Sequence, residues 1–206
     1  MINELKNLKI NEIIKLPQPK TKGELSVEEA IFTRRSVRSF EDKPLTLEQI
    51  SQLLWSAQGI TYARGGYRAA PSAGATYPLD VYLVSADGFF HYLPEEHNLE
   101  KISSENRLIA LSEAALDQEW VRNVVVNLVI TAIFERTTTR YGRRGIGYVY
   151  IEVGHTAENV HLQAISLGLV SLPVGAFDDD EVAKVLALPS RVKPIYIIPI
   201  GYSRKE

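Results

Sequence analysis

Cysteine is absent from this chain of 206 residues. Disulfides, thiolate nucleophiles, iron–sulfur clusters and zinc–cysteine sites are therefore excluded. The sequence also lacks an apolar run long enough to span a membrane, and charged residues interrupt the apolar ones at the N-terminus, unlike in a signal peptide. These absences predict a cytoplasmic protein without a membrane partner.

A charge excess of one sign is missing as well. The chain has 23 Lys and Arg against 25 Asp and Glu, a formal net charge of -2. Proteins that bind nucleic acid in general usually carry a strong basic excess, so we expect no nucleic-acid partner. With 45% hydrophobic and 23% charged residues, the composition is that of an ordinary globular protein.

Several common catalytic and binding motifs are not present. There is no GxGxxG after a predicted strand, no GxxxxGK[ST] and no GxSxG, so the sequence signals neither a Rossmann site, nor a P-loop, nor a serine-hydrolase elbow. His155 and His161 are six residues apart and do not share a helix face as two metal ligands would. We expect no metal site.

The chain divides into an N-terminal arm and one domain. Residues 1–25 are predicted to form an arm that is extended from Leu16 onward, because Pro17 and Pro19 break any helix there. Such an arm either packs across its own domain or reaches a partner subunit. Residues 26–206 are predicted to form a single domain.

Capping boxes begin two predicted helices, at Ser26–Glu29 and at Thr46–Gln49. The first helix should run from 27 to 34, with Ala30 and Ile31 facing inward. The second continues with apolar residues at helical spacing.

The remaining segments show no regular alternation of strand and helix, which favours an α+β fold with a central mixed or antiparallel sheet. The run 124–133 is almost continuously β-branched or apolar, and it predicts a central strand buried on both faces. Further strands are predicted at 79–84, 88–92 and 194–200, helices at 105–116, 148–167 and from Asp178 to near Leu188, and loops at 62–76 and 134–147.

A cationic cluster follows the first predicted helix. Arg34, Arg35 and Arg38 flank Ser36, and guanidinium groups fit phosphate oxygens with a rigid fork of donors. The cluster indicates a socket for a phosphorylated small molecule. The alternative is a solvated helix end, where basic residues simply complement the helix dipole.

Two loops of small residues are further candidates. The segment Pro71–Pro78 is a stiff loop whose backbone can lie flat against a planar group, and the alternative is a plain connection into the next strand. The segment Leu172–Phe177 ends a short strand in Gly-Ala, where small side chains leave backbone N–H groups open to a ligand. Its alternative is an ordinary strand-to-helix turn.

Together these segments resemble the nitroreductase family of FMN-dependent oxidoreductases, and most of all its branch of SagB-type dehydrogenases. The landmarks stand in family order and cover roughly residues 25–203. They are Arg34–Arg38, Pro71–Ala75, Tyr150–His155 with Glu158 and Asn159, Gly168 with Leu169, Pro173–Asp178 and Pro199–Tyr202.

The resemblance implies an α+β, nitroreductase-like fold and a homodimer with two FMN sites at the subunit interface. It implies that Arg34, Arg35 and Ser36 serve the phosphate and ribityl end of the flavin, and that Arg38 serves the ring edge. A partner's flavin would be lined by Pro71, Ser72, Ala73, Gly74 and Ala75, although many classical members have asparagine where Ala75 stands.

Other flavin contacts are implied on separate segments. Backbone N–H groups at Gly175 and Ala176 would point towards flavin N5 and O4, within the segment Pro173, Val174, Gly175, Ala176. Gln118 is the candidate for a ring-edge amide. Arg204 and Lys205 are the candidates for a basic residue that helps to bind the phosphate.

The expected activity is hydride transfer from NAD(P)H, as a transient reductant, through FMN to a small organic oxidant such as a nitro compound or quinone. Oxidation of an azoline-like substrate is the other reaction that the SagB-type branch implies. The alternative from another class is a non-catalytic flavin-binding or interaction subunit of a larger complex.

Overall fold

A sheet of seven strands forms the centre of the computed structural model, which describes residues 3–204. The strands of this part of the chain are β1 (Ile13–Lys15), β2 (Ile60–Tyr62), β3 (Tyr67–Arg68), β4 (Leu79–Ser85), β5 (Gly88–Leu93), β6 (Asn98–Ser103), β7 (Val126–Ala132), β8 (Val170–Ser171) and β9 (Lys193–Gly201). All of them except β2 and β3 form the central sheet, in the order β1-β6-β5-β4-β7-β9-β8, and each pair of neighbouring strands is antiparallel. β2 and β3 form a separate two-stranded ribbon. The predicted α+β class is confirmed.

Helices cover both faces of the sheet. They are α1 (Asn3–Asn7), α2 (Val27–Thr33), α3 (Leu47–Gln58), α4 (Leu108–Ala114), α5 (Glu119–Arg122), α6 (Glu135–Tyr141), α7 (Arg144–Ser166) and α8 (Asp179–Val185). One apolar cluster joins α3 and α7 to one face of the sheet, and a second joins α4 and α8 to the other. The long helix α7 is therefore part of the core.

β7 is the central strand that its sequence predicts. All seven of its residues are buried, and it pairs with β4 on one side and β9 on the other. Leu128 and Ile130 belong to the α3–α7 core, whereas Val129 belongs to the α4–α8 core. This alternation is the period of two by which a strand presents side chains to opposite faces.

Both predicted capping boxes are formed. The Ser26 hydroxyl accepts a hydrogen bond from the Glu29 N–H, and the Glu29 carboxylate accepts one from the Ser26 N–H. Thr46 and Gln49 make the same reciprocal pair at the start of α3. The prediction that Ile31 faces inward is wrong, since Ile31 is 57% exposed and Ala30 is the only buried residue of α2.

The N-terminal segment packs across its own domain, which was one of the two alternatives. Leu5 and Leu16 are each only 2% exposed and belong to the α3–α7 core. β1 adds an edge strand to the sheet by pairing with β6. The backbone of Lys20 exchanges two hydrogen bonds with the side chain of Gln52 on α3, at 2.8 and 3.1 Å.

Several segments differ from the prediction. The predicted loop 62–76 contains β3, and α1, β1 and α5 were not predicted. The predicted loop 134–147 is wrong, because it contains α6 and the first turn of α7. Thr137 is the only buried residue of α6, so the helix carries almost no apolar periodicity. β6 was not predicted, because the buried Lys101 interrupts the apolar alternation of its sequence. The ammonium group of Lys101 donates a hydrogen bond to the Leu5 carbonyl.

Across residues 3–204, no helix combines the length and the apolar character that crossing a bilayer requires.

Replacing Leu16 with alanine tests whether the N-terminal segment belongs to the core. We expect the free energy of unfolding to fall by about 2–5 kcal/mol, because the change leaves a cavity in a buried site. Ile10→Ala is the matched control, since Ile10 is 58% exposed and its truncation should cost less than about 0.5 kcal/mol. Urea denaturation of both variants measures the difference, and equal losses would contradict the packing described.

Candidate functional site

The cationic cluster begins where α2 ends, against the C-terminal half of α7. The Arg34 guanidinium lies 3.1 Å from Nε2 of His161, and the Nδ1 of the same ring contacts the Ser171 hydroxyl of β8. Because a guanidinium only donates hydrogen bonds, His161 must accept at Nε2 and carry its proton on Nδ1. Three elements thus fix the position of Arg34.

His161 stays neutral at ordinary pH. It is 1% exposed, and this burial, together with the charge of Arg34, lowers its pKa to about 4. A neutral ring can orient Arg34 without repelling it. Arg34 also has a weaker contact with the Glu158 carboxylate, which lies 3.7 Å from its Nε. This ion pair contributes little, because Glu158 is mostly exposed to solvent.

The other two arginines of the cluster make different contacts. Arg35 donates to the backbone carbonyls of Phe32 and Arg34, at 2.9 and 2.6 Å, so it caps the end of α2. This contact matches the alternative of a helix-end arginine. Ser36 forms a parallel bridge with Ser171, and the Val37 N–H donates to the Ser171 carbonyl at 3.2 Å.

Arg38 leads to a second group of predicted residues. Its guanidinium lies 5.5 Å from the ring centroid of Trp120, within the range of a cation–π contact. The Trp120 indole N–H donates to the Gln118 side-chain carbonyl at 3.2 Å, and the Gln118 amide donates to the Ala176 carbonyl at 2.7 Å. Three predicted site residues, Arg38, Gln118 and Ala176, therefore lie in one connected patch.

The segment 173–176 lies beside this patch and carries backbone N–H groups that are free to donate. Val174 exchanges backbone hydrogen bonds with Ile197 of β9, which fixes the segment at the sheet. Within the part of the chain that the structure describes, the N–H groups of Gly175 and Ala176 have no hydrogen-bond partner, and both residues are exposed. Pro173 is half-buried just before them.

The loop 71–75 lies elsewhere along α7. The Ser72 hydroxyl accepts a hydrogen bond from the Tyr77 N–H at 2.9 Å, and Arg140 of α6 donates to the Gly74 carbonyl at 3.2 Å. Gly74 has φ 59°, and a Cβ there would lie 2.4 Å from the Tyr141 hydroxyl. Pro71, Gly74 and Ala75 are exposed, and Ser72 and Ala73 are half-buried.

The two predicted C-terminal residues are only partly described. The Arg204 N–H donates to the Ser39 carbonyl at 3.2 Å, so its backbone lies next to the cationic segment. Its side chain lines a cavity of about 400 Å³ together with Asp42 and Arg122. Lys205 lies outside the described residues.

Sequence reasoning missed two residues that organise this site. His161 was considered only as a metal ligand, and Trp120 was not considered, yet each joins an arginine of the cluster to another segment. No local pattern signals them, since both contacts join residues far apart in the chain. Between residues 3 and 204, no three His, Asp or Glu side chains come together as a metal site would require.

Comparison with known proteins places the chain among the flavoprotein oxidoreductases. The model of the Nitroreductase family matches residues 31–202, and the chain belongs to that family.

Relatives agree with this assignment. The chain is 42% identical, over 184 residues, to Methanocaldococcus jannaschii MJ1384, whose name places it among the nitroreductases; the match covers 86% of this chain and 91% of the relative. A solved structure from Ralstonia eutropha JMP134 superposes with a TM-score of 0.85 at 28% identity, covering 97% of this chain and 93% of that one.

A third relative is the Escherichia coli microcin B17-processing protein McbC, 29% identical over 182 residues, which are 81% of this chain and 67% of McbC. A solved Escherichia coli microcin synthetase McbBCD complex, with truncated pro-MccB17 bound, contains a chain that matches at a TM-score of 0.73 and 26% identity. That match covers 98% of this chain and 81% of the other.

The neutrality of His161 gives the protein a predictable loss of stability in acid. The unfolded histidine takes up a proton near its usual pKa of 6.5, but the folded one does so only near 4. Acidification from pH 6.5 to pH 4 therefore favours the unfolded state, by on the order of 3 kcal/mol. His161→Gln should lack this term, so the variant should lose less stability than the wild type between pH 7 and pH 4.

Urea denaturation at both pH values measures the effect. His155→Gln is the matched control, because His155 is exposed on the same helix and should leave the wild-type pH dependence unchanged. An identical pH dependence in His161→Gln and the wild type would contradict the assignment of a neutral ring.

Proposed function

We propose that the protein is an FMN-dependent oxidoreductase that takes hydride from NAD(P)H and passes it to a small organic acceptor. The observation that carries the proposal is the connected patch of Arg38, Trp120, Gln118 and Ala176, which adjoins the free backbone donors of the segment 173–176. Family membership supports a flavin, and Arg38 with the N–H groups of Gly175 and Ala176 would be its ring-edge donors. The predicted ring-edge amide of Gln118 does not have a free donor, because it donates to the carbonyls of Ala115 and Ala176, each at 2.7 Å.

The donors suit the two ends of an FMN molecule. N5 and O4 are two of the hydrogen-bond acceptors of a flavin ring, and the N–H groups of Gly175 and Ala176 are exposed donors without partners among residues 3–204. A phosphate needs cations that keep their charge. Arg34 suits this role, because its closest partner is a neutral histidine rather than a carboxylate and its side chain remains 33% exposed.

When bound, FMN supplies hydride acceptance and donation at N5, which no side chain of the chain can supply. The protein's own contribution is position and electrostatics. The N–H groups of Gly175 and Ala176 would stabilise negative charge on the reduced ring, as preorganised donors do in an oxyanion hole. Arg38, held over Trp120, would add positive charge at the pyrimidine edge.

We propose that the protein forms a homodimer in which both subunits contribute residues to each flavin site. α2 exposes Val27, Ile31 and Phe32 at 66, 57 and 78%, and α7 exposes Tyr150 and Ile151 at 53% each. Several large exposed apolar residues on neighbouring helices favour a subunit interface. A second copy would cover them and bring its own residues 71–75 to the flavin.

The substrate is proposed as a class. A nitro compound or quinone is the first candidate, because the donors of the segment 173–176 are exposed to solvent and leave room for a small planar acceptor. Azoline oxidation is the second candidate, and it is favoured by the likeness to McbC, a protein described as processing microcin B17. A non-catalytic subunit of a larger assembly is the alternative from another class, since an McbBCD complex contains a chain of this fold.

Anaerobic reduction separates the enzyme from the non-catalytic alternative. The purified protein, loaded with FMN, should lose its flavin absorbance near 450 nm within seconds to minutes after NADH or NADPH is added. A flavin that stays oxidised with both nucleotides would support the non-catalytic subunit. A protein that takes up no FMN would contradict the proposed function.

Arg34→Ala should weaken FMN binding by about 1.5–3 kcal/mol, because one charge-assisted hydrogen bond to the phosphate is lost. Arg35→Ala should cost less, since Arg35 already donates to the backbone at the end of α2. Quenching of flavin fluorescence measures both affinities. Arg191→Ala, at an exposed residue outside the cluster, is the control, and wild-type affinity in Arg34→Ala would favour the solvated helix end.

Phe32→Asp should separate the dimer into monomers, because it places a charge on the most exposed apolar residue of α2. Sedimentation or light scattering measures the mass, and FMN affinity should fall in parallel if the site is shared. Ile109→Asp, on α4 and 63% exposed, is the matched control. A monomeric wild type, or a Phe32→Asp variant that stays dimeric, would contradict the proposed interface.

A further inference from the structure

Three arginines at the junction of α6 and α7 have no role in the proposed function. Arg140 stands in the last turn of α6, and Arg143 and Arg144 stand where α7 begins. All three are exposed, and none forms an ion pair with a carboxylate among residues 3–204. In a chain with a net charge of -2, unpaired cations at this density make the junction a positive patch.

The neighbouring sequence does not compensate these charges. Arg136, earlier on α6, is neutralised by the Asp80 carboxylate, to which it donates two hydrogen bonds at 2.9 and 3.1 Å. From Arg136 to Ile151, however, the sequence has no Asp or Glu. The arginines beyond Arg136 therefore keep their charge for a ligand.

Two tyrosines position the guanidinium groups. The Arg140 guanidinium lies 5.4 Å from the ring centroid of Tyr141, and that of Arg144 lies 5.3 Å from the ring centroid of Tyr148. The two rings meet edge to face, with their centroids 5.3 Å apart. A cation–π contact orients a guanidinium without cancelling its charge. We call these four residues the arginine–tyrosine cluster.

The cluster is joined to the loop 71–75. Arg140 donates one hydrogen bond to the Gly74 carbonyl at 3.2 Å, and Thr137 of the same helix shares a hydrogen bond of 2.7 Å with Thr76. The proposed function places this loop against the flavin of the partner subunit. The arginine–tyrosine cluster would therefore lie at the rim of that flavin site.

A nicotinamide dinucleotide brings phosphate groups that need cations. NADH carries a pyrophosphate, and NADPH carries a further phosphate on the ribose of its adenosine. The sequence has neither the GxGxxG turn nor the P-loop that often bind such groups. Guanidinium groups bind phosphate oxygens through charge-assisted hydrogen bonds, and Arg34 is already assigned to the phosphate of FMN. The arginine–tyrosine cluster is suited to a second set of phosphates.

We propose that the arginine–tyrosine cluster binds phosphate groups of the nicotinamide dinucleotide that reduces the flavin of the partner subunit. This inference rests on the proposed function for its link to the flavin. Arg144 donates to the phosphate oxygens, and Arg140 does so with the N–H groups that it does not give to Gly74. Each active site then takes its FMN-binding Arg34 from one chain and its reductant-binding arginines from the other.

Arg144→Ala tests the proposal, because Arg144, unlike Arg140, makes no hydrogen bond to the loop 71–75 within the described part of the chain. The KM for NADPH should rise by about tenfold or more, as expected when a charge-assisted hydrogen bond is lost, and kcat should change little. Arg144→Glu should raise the KM further, since it places a negative charge beside the phosphate. Arg191→Ala, at an exposed arginine outside the cluster, is the matched control and should keep the wild-type KM.

A reductant without phosphates separates binding of the dinucleotide from damage to the site. N-benzyl dihydronicotinamide donates the same hydride but carries no phosphate, so Arg144→Ala should oxidise it at the wild-type rate. An equal rise of the KM for NADH and NADPH would assign Arg144 to the pyrophosphate. A larger rise for NADPH would assign it to the ribose phosphate.

A measurement without flavin keeps the test independent of catalysis. In calorimetry with the FMN-free protein, NADP⁺ should bind the wild type about tenfold more tightly than Arg144→Ala. This difference, in a wild type whose flavin neither NADPH nor N-benzyl dihydronicotinamide reduces, would contradict the proposed function alone and support the phosphate site.

Three results would overturn the inference. They are a wild-type KM for NADPH in Arg144→Ala, an equal loss of rate by this variant with N-benzyl dihydronicotinamide, and an FMN-free wild type that binds NADP⁺ no more tightly than Arg144→Ala.

Discussion

The polar side chains buried along α7 are the constraint on which the arrangement of the site depends. Glu152, Thr156 and His161 are each at most 2% exposed, and a buried polar group without a partner costs free energy. The partners of Thr156 and His161 come from other elements. Gln58, at the end of α3, donates to Thr156. Arg34, after α2, and Ser171, in β8, both contact His161. The hydrogen bonds made by the buried polar side chains of α7 therefore fix the positions of segments that carry the candidate site.

The neutral His161 also explains why the positive charge of Arg34 is not cancelled, although the chain as a whole is slightly acidic. A carboxylate as the main partner of Arg34 would cancel its charge, and a second cation would repel it. His161 orients the guanidinium through Nε2 but carries no charge, and the mostly exposed Glu158 at 3.7 Å adds little. Orientation and charge are thus supplied separately, as binding of an anion requires.

The sequence predicts those parts of the structure whose signal is local. Capping boxes locate the starts of α2 and α3, and the β-branched run locates β7, because both features depend on neighbouring residues. α6 was missed because polar side chains, rather than an apolar stripe, join it to residues 74 and 76. His161 and Trp120 were missed for a related reason, since a contact across 127 residues leaves no pattern in the sequence. A resemblance to a family names Arg34 and Ser72, but only the fold shows what holds each of them.

The two halves of the candidate site lie along one helix. Glu152, beside the loop 71–75, and His161, beside Arg34, are nine residues apart, which is about 14 Å of helix. Exposed Tyr150 and Ile151 belong to the same helix. In a two-fold symmetric contact, each patch of one chain meets the complementary patch of the other. Pairing of two such helices would therefore bring the Arg34 end of one helix towards the loop 71–75 of the other chain, so a ligand held between them would touch both subunits.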